Sequence, residues 1–323
     1  MNADGFFAIG PKQWATACGL GLNPAVALLV LARGSGHDNI TTAWSAEAVA
    51  KRTGIAWRRA KAAIDALEGA KLATGTNEGT RPIRKLAAPK DMDKALWLPN
   101  ALVDGAVTEA PPITRLRQAQ NVEHLQAFIE LYGLQDLAGD GGLPRSLVHA
   151  PHDRTRICDT GQFIVWGFTR KDTRTCWATG PLARFKARNV GNESAAWDFL
   201  QRLECMGLLQ TIDYLAEGDA PDAELLHPLT GDADADAVRD AATQLPDRMP
   251  EWFARKGEQF DYVLPVMRDF PAPAVVGVSR LVYRPHTRLT GAWWARHHVT
   301  CERFAAMYRA LAEGDYRQAA AIR

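Results

Sequence analysis

Nine side chains between Lys51 and Lys85 have types and spacing that could do chemistry together: Lys51, Arg52, Trp57, Arg58, Arg59, Lys61, Arg81, Arg84 and Lys85. Eight are cations, and the chemistry open to a cluster of fixed cations is contact with phosphate. Each neutralised phosphate releases condensed counterions, which makes such binding strong and salt-dependent. Residues 40 to 90 hold ten Lys or Arg against four acids, a local charge of +6 in a 323-residue chain whose formal net charge is +1. A basic patch inside a neutral protein marks a partner of the opposite sign. A solvated helix face is the plain alternative, and the coincidence of these charges with particular elements is what argues against it.

Other chemistry has weaker footing. His297 and Cys301 lie four apart, and His149, His152 and Cys158 fall within ten residues, but neither group has the paired CxxC or HxxxH spacing of a zinc site. Surface histidines and packed thiols are the expected reading. Asp232, Asp234 and Asp236 alternate without the glycine and later glutamate of a calcium loop. No GxxxxGK[ST], GxSxG or strand-borne GxGxxG occurs. Asp153, Asp159 and Asp172 near Arg154, Arg156 and Lys171 show no spacing that supports a nuclease. Neither an enzyme nor a cofactor nor a metal is expected. Cys18, Cys158, Cys176, Cys205 and Cys301 form no framework, so free thiols are expected.

The elements that must position the cations are legible around them. Ser45 is placed to N-cap a short helix beginning near Ala46, with Glu47 favoured by the helix dipole. Gly54 can take the positive φ of a sharp turn, and Ile55 plugs the corner. A second helix then presents Ala60, Ala63, Ile64 and Leu67 as an apolar stripe, leaving Trp57, Arg58, Arg59, Lys61 and Asp65 outward. Upstream, Asn23 and Pro24 read as cap and first position of a buried helix over Ala25 to Ala32. Downstream, Leu72 to Thr74 and Ile83 to Leu86 read as two strands around a Gly75 to Gly79 loop.

This order of elements resembles a winged helix-turn-helix, with the wing at about residues 73 to 86 and roughly a quarter of the chain covered. The resemblance implies double-stranded DNA as ligand. Arg58, Arg59 and Lys61 would touch bases or phosphates, and Arg81, Arg84 and Lys85 the backbone or minor groove.

An offset of 136 residues superposes Arg52 on Arg188, Ala60 on Ala196, Ile64 on Leu200, Leu67 on Leu203, Glu68 on Glu204 and Leu72 on Leu208. GQFIVWGF, Gly161 to Phe168, then answers to the upstream apolar helix. Residues 160–217 read as a second, diverged winged domain, with Ser194 to Met206 as its third helix and Leu208 to Leu215 as a wing strand. This copy would contact protein, or reach DNA through Arg170, Lys171, Arg174, Arg184, Lys186 and Arg188. Two winged domains in one chain resemble theta-type plasmid replication initiators, and the N-terminal segment resembles helix-turn-helix proteins of prophages and integrative elements. That likeness leaves replication initiation and transcription regulation both open.

The expected fold is therefore mainly α with small β-wings (α+β): a winged helix-turn-helix domain at 1–90, a linker and connecting helix at 91–159, the second winged domain at 160–217, an acidic linker at 218–244, and a C-terminal helical or mixed module at 245–323. The connecting helix is read over Arg115 to Leu134. The acid-rich run from Asp213 to Asp240 is read as a surface segment facing away from DNA. In the last module Ala274 to Tyr283 reads as a strand, with helices beginning near Thr290 and Thr300.

No apolar run reaches the ~18 residues that cross a bilayer, and MNADGFFAIGPKQW lacks the form of a secretion signal, so the expected place is the cytoplasm, without a membrane partner. Expected partners are double-stranded DNA, a second copy of the chain if a homodimer spans two half-sites, and host replication or transcription proteins. The competing reading is a protein-interaction module whose winged helices dock a replication or host-defence factor.

Overall fold

The computed structural model describes residues 5–76, 83–89, 91–105, 110–171, 175–176, 179–185, 194–229, 238, 241, 260–270, 272–283 and 288–322. The chain divides into two compact units: Met1–Gln135 with Ala178–Leu209 and Leu281–His286, and Asp136–Trp177 with Gln210–Arg280 and Thr287–Arg323. Among the described residues no helix is long and apolar enough to cross a membrane.

In the first unit, β1 (Phe6–Ile9) leads into α1 (Pro11–Gly19) and α2 (Leu22–Arg33). Every residue of α2 from Ala25 to Ala32 is buried, so this helix is apolar all round and its neighbours assemble on it. It starts earlier than Asn23 and Pro24 suggest, because Gly21, at φ 115°, ends the preceding turn. Then follow β2 (Thr41–Thr42), α3 (Ala46–Thr53), α4 (Trp57–Gly69), β3 (Ala73–Thr76) and β4 (Ile83–Leu86). The three strands form a sheet in the order β2-β4-β3, and both α3 and α4 pack on α2. Next, β5 (Leu96–Pro99) pairs antiparallel with β1, Phe6 opposite Pro99.

The helix expected over 115–134 is two. After the short α5 (Ala101–Asp104) come α6 (Pro112–Gln118) and α7 (Val122–Leu131). Gln120 takes a positive φ of 52°, and the Asn121 side chain accepts from the His124 N–H at 3.0 Å, capping a new helix where periodicity alone continues the old one. The last helix of this unit is α8 (Ser194–Cys205), matching the expected span. His124 of α7 meets the rings of Phe185 and Phe199 at 5.6 and 5.3 Å, and those two phenylalanines stack at 4.6 Å.

The second unit overturns the expectation of a mainly helical protein with small wings. It contains β6 (Val148–Asp159), β7 (Phe163–Arg170), β8 (Thr175–Cys176), β9 (Leu209–Ala216), β10 (Leu225–Pro228), β11 (Tyr262–Met267) and β12 (Ala274–Leu281). They form a seven-stranded sheet in the order β10-β9-β12-β6-β7-β11, with β8 also on β6. The protein is α+β with a large sheet. GQFIVWGF, expected as a helix of a second winged domain, is mostly β7, bonded antiparallel to β6 on one side and β11 on the other.

The physical reason is two-sided burial. Phe163 and Phe168 face a core shared with Leu264, Val266 and Tyr308, while Val165 joins Ile157 in another cluster. A strand covered on both faces loses the alternation that would distinguish it from a buried helix.

Helices cover part of this sheet. The two helices expected near Thr290 and Thr300 are one, α9 (Arg288–Ala312), followed by α10 (Tyr316–Ala321). Phe304, Met307, Tyr308 and Leu311 of α9 bury themselves among sheet residues.

The acid-rich segment is also not uniformly a surface one. Asp213 on β9 is 1% exposed, and its Oδ2 accepts from Arg170 Nη2 and from the Tyr262 hydroxyl, each at 2.7 Å. His152 Nε2 lies 3.7 Å from the same oxygen, while its Nδ1 meets the Val275 carbonyl at 3.2 Å. One carboxylate thus ties side chains from β6, β7 and β11 to β9. Asp232, Asp234, Asp236 and Asp240 lie outside the described residues.

Candidate nucleic-acid interface

Two helices and one glycine set the geometry. Apolar burial of Val49, Ala60, Ala63, Ile64 and Leu67 fixes which way α3 and α4 face, since each is at most 3% exposed. Gly54 closes α3 in the left-handed region, φ 68° and ψ 14°, and Ile55, 3% exposed, fills the corner beneath it. Ser45 occupies the N-cap of α3 in extended backbone but makes no side-chain cap bond, contrary to expectation.

The helix α4 begins at Trp57, and Trp57, Arg58, Arg59 and Lys61 are all exposed. Trp57 stands 55% exposed, with the Lys61 ammonium 5.9 Å from its ring centroid. No side chain of the N-cap residue Ala56 accepts from the first N–H groups of α4. Lys51 at the end of α3 and Lys85 on the outer strand face are exposed as well.

Two expected contacts are engaged elsewhere. The Arg52 guanidinium lies 3.6 Å from the Trp44 ring centroid and its Nε 3.4 Å from Asp104 Oδ1, while Arg33 bonds the other oxygen of that carboxylate at 2.6 Å. Arg84 Nε pairs with Glu68 Oε1 at 3.0 Å, with 18% of its side chain exposed, so it fastens the β-wing to α4. Arg81 lies outside the described residues. Thus Trp57, Arg58, Arg59 and Lys61 on α4, Lys51 on α3 and Lys85 on β4 are all exposed, whereas Arg52 and Arg84 are engaged as internal struts.

The structure adds residues that spacing does not reveal. Trp44 packs so closely on Gly34 that a Cβ there would meet its ring at 2.2 Å. From α6, Arg117 Nε donates to the Thr53 carbonyl at 3.0 Å and Thr114 Oγ1 to the Arg52 carbonyl at 3.1 Å. Near the wing, Asp38 accepts from the N–H groups of Ile40 and Thr41 at 3.0 Å; hydrogen bonds from Thr41 and then Ile40 hold its carboxyl down to about 2.

Of the alternative basic residues, Arg184 pairs with Glu130, Arg170 with Asp213 and Lys171 with Asp153, while Arg174, Lys186 and Arg188 lie outside the described residues. Of the residues weighed as zinc ligands, Cys301 points its thiol at the Leu226 carbonyl, 3.7 Å away, and His297 stacks on Trp293. Cys18 is a buried free thiol, pushed up to about 12 chiefly by burial. Comparison of the chain with protein-family models, with curated proteins and with solved structures returned no match.

Proposed function

We propose that the first unit binds double-stranded DNA, with α4 entering the major groove and the β3–β4 wing beside it, as a mobile-element replication initiator or transcription regulator. The observation that carries the reading is the joint exposure of Trp57, Arg58, Arg59 and Lys61 directly after the left-handed Gly54. Cations so placed meet phosphates and guanine edges, and an exposed indole supplies apolar contact to a base or sugar.

The test is a titration of the full chain with random duplex DNA at low salt, repeated as salt rises. Binding should weaken steeply with salt, and Arg58→Ala with Arg59→Ala should reduce affinity by about 1–3 kcal/mol per base-contacting arginine. Unchanged affinity in the double variant would remove α4 from the interface. No binding to any duplex would favour an acidic protein partner for the same patch. Sequencing duplexes retained from a genomic pool then separates origin repeats from promoters.

A further inference from the structure

Trp57 opens α4 and is 55% exposed, so more than half of a large apolar side chain stands in water at the leading end of that helix. Single apolar residues on a surface are ordinary, and exposure alone assigns nothing. The surroundings of Trp57 set it apart. The Cα–Cβ bonds of a helix tilt toward its N-terminus, which sends the side chain of a first residue past the helix start. One turn on, the Lys61 ammonium lies 5.9 Å from the ring centroid, within reach of a cation–π contact that holds the ring on the outward face.

Beyond Lys61 the outward face of α4 is low. Ala62 and Gly69 are exposed and Ala66 is half-buried, so Asp65 is the one exposed side chain there larger than a methyl group. Glu68 is drawn to Arg84 Nε at 3.0 Å. Small side chains allow close approach of a backbone to a ligand, and the major groove admits an α-helix. On the reading that α4 enters that groove, on which this inference rests, the helix can come near the base edges with its indole in front.

An indole offers a broad apolar ring and one donor, its Nε1–H, and it accepts nothing. In the major groove cytosine presents a donor, guanine two acceptors and adenine one of each, whereas thymine alone joins a methyl group to an acceptor, O4. Thymine therefore matches the indole on both counts.

We infer that Trp57 is a specificity-determining residue that reads a thymine. Its ring covers the C5-methyl group, and its Nε1–H is directed to O4. Arg58, Arg59 and Lys61 supply charge, and the indole selects the base opposite the start of α4.

The test uses the full chain and the duplex it enriches from a random pool. Each thymine of that duplex is replaced in turn by deoxyuridine, which removes the methyl group and keeps O4. At the thymine that Trp57 reads, the replacement should weaken binding about fourfold, the value of withdrawing one methyl group from apolar contact. Trp57→Ala should bind the thymine and uracil duplexes alike. Trp57→Phe should keep part of the preference, because a phenyl ring retains the apolar contact and lacks the donor. Neither variant should move the thermal midpoint, since the indole is largely exposed. Retention of the pool without enrichment of any sequence, equal affinity of the wild-type chain for every uracil duplex, or a preference that survives Trp57→Ala would overturn the inference and leave duplex binding standing. A chain that retains no duplex removes the DNA reading and the inference together.

Discussion

Arg117 donates its Nε–H to the carbonyl of Thr53 across 3.0 Å, closing the last turn of α3 one residue before Gly54 reverses the backbone hand. The final carbonyls of a helix have no partner within it, and here α6 supplies one. Thr114 does the same for the Arg52 carbonyl, so the angle at which α4 leaves the turn is held from outside the helix-turn-helix.

Arg117→Ala should therefore cost about 1–2 kcal/mol in urea unfolding, the scale of a hydrogen bond from a charged donor. It should also weaken duplex binding, although Arg117 is not among the outward residues of α4. Unfolding and DNA titration of the same preparation separate the two effects.

Gly54→Ala should destabilise by about 1–2 kcal/mol, the penalty for placing a Cβ in the left-handed region, and Gly54→Asn by less. A denaturant midpoint unmoved by either change would mean that the turn relaxes out of φ 68° without loss.

Arg58 and Arg84 should behave oppositely. Arg58→Ala should leave the thermal midpoint unchanged while lowering the slope of log affinity against log salt by about 1 if that arginine meets a phosphate. Arg84→Ala, which strands Glu68, should lower stability by about 0.5–1 kcal/mol and leave the salt slope nearly intact.

Asp213→Ala should cost about 2 kcal/mol, since Tyr262 and Arg170 both lose their acceptor within the sheet. Adding Tyr262→Phe should cost less than the two changes summed, because the hydroxyl then has nothing left to lose. A double-variant cycle in guanidinium measures the coupling directly.

Acid should loosen the second unit through His297. Its folded pKa of about 4 lies below the ordinary 6.5, so the unfolded chain binds the proton more readily between those values. The stability associated with the neutral ring is intact above pH 6.5 and is lost as pH falls toward 4. His297→Phe retains an aromatic ring against Trp293, and its thermal midpoint should fall less steeply over that range.

The first unit was largely legible because its signals are local. Gly54 and the Ala60/Ala63/Ile64/Leu67 stripe show within a few residues what the structure then contains, and so does the strand pair of the wing, except that Gly75 and Thr76, expected in the loop, belong to β3. Long-range partners were not legible: nothing near Arg52 announces Trp44 and Asp104, and nothing near Arg84 marks Glu68 as its mate.

The sheet failed to show for two different reasons. The apolar run of β7 has no alternation because both faces are covered, and β6 carries Pro151, whose missing N–H usually argues against an interior strand. Asp213 looked like one acid among many, and only its meeting with Arg170 and Tyr262 sets it apart.

Tyr132 of the 3₁₀ turn after α7 donates its hydroxyl to the carbonyl of Tyr283, 151 positions later, and His124 of α7 waits on Phe185 and Phe199. During synthesis at roughly 5–20 residues per second, the Tyr132 hydroxyl leaves the ribosome roughly eight to thirty seconds before its acceptor does. The nascent N-terminal portion thus has an interval in which helix α7 is made but its late-arriving aromatic neighbours are not, and a chaperone that shields apolar surface would find its target there.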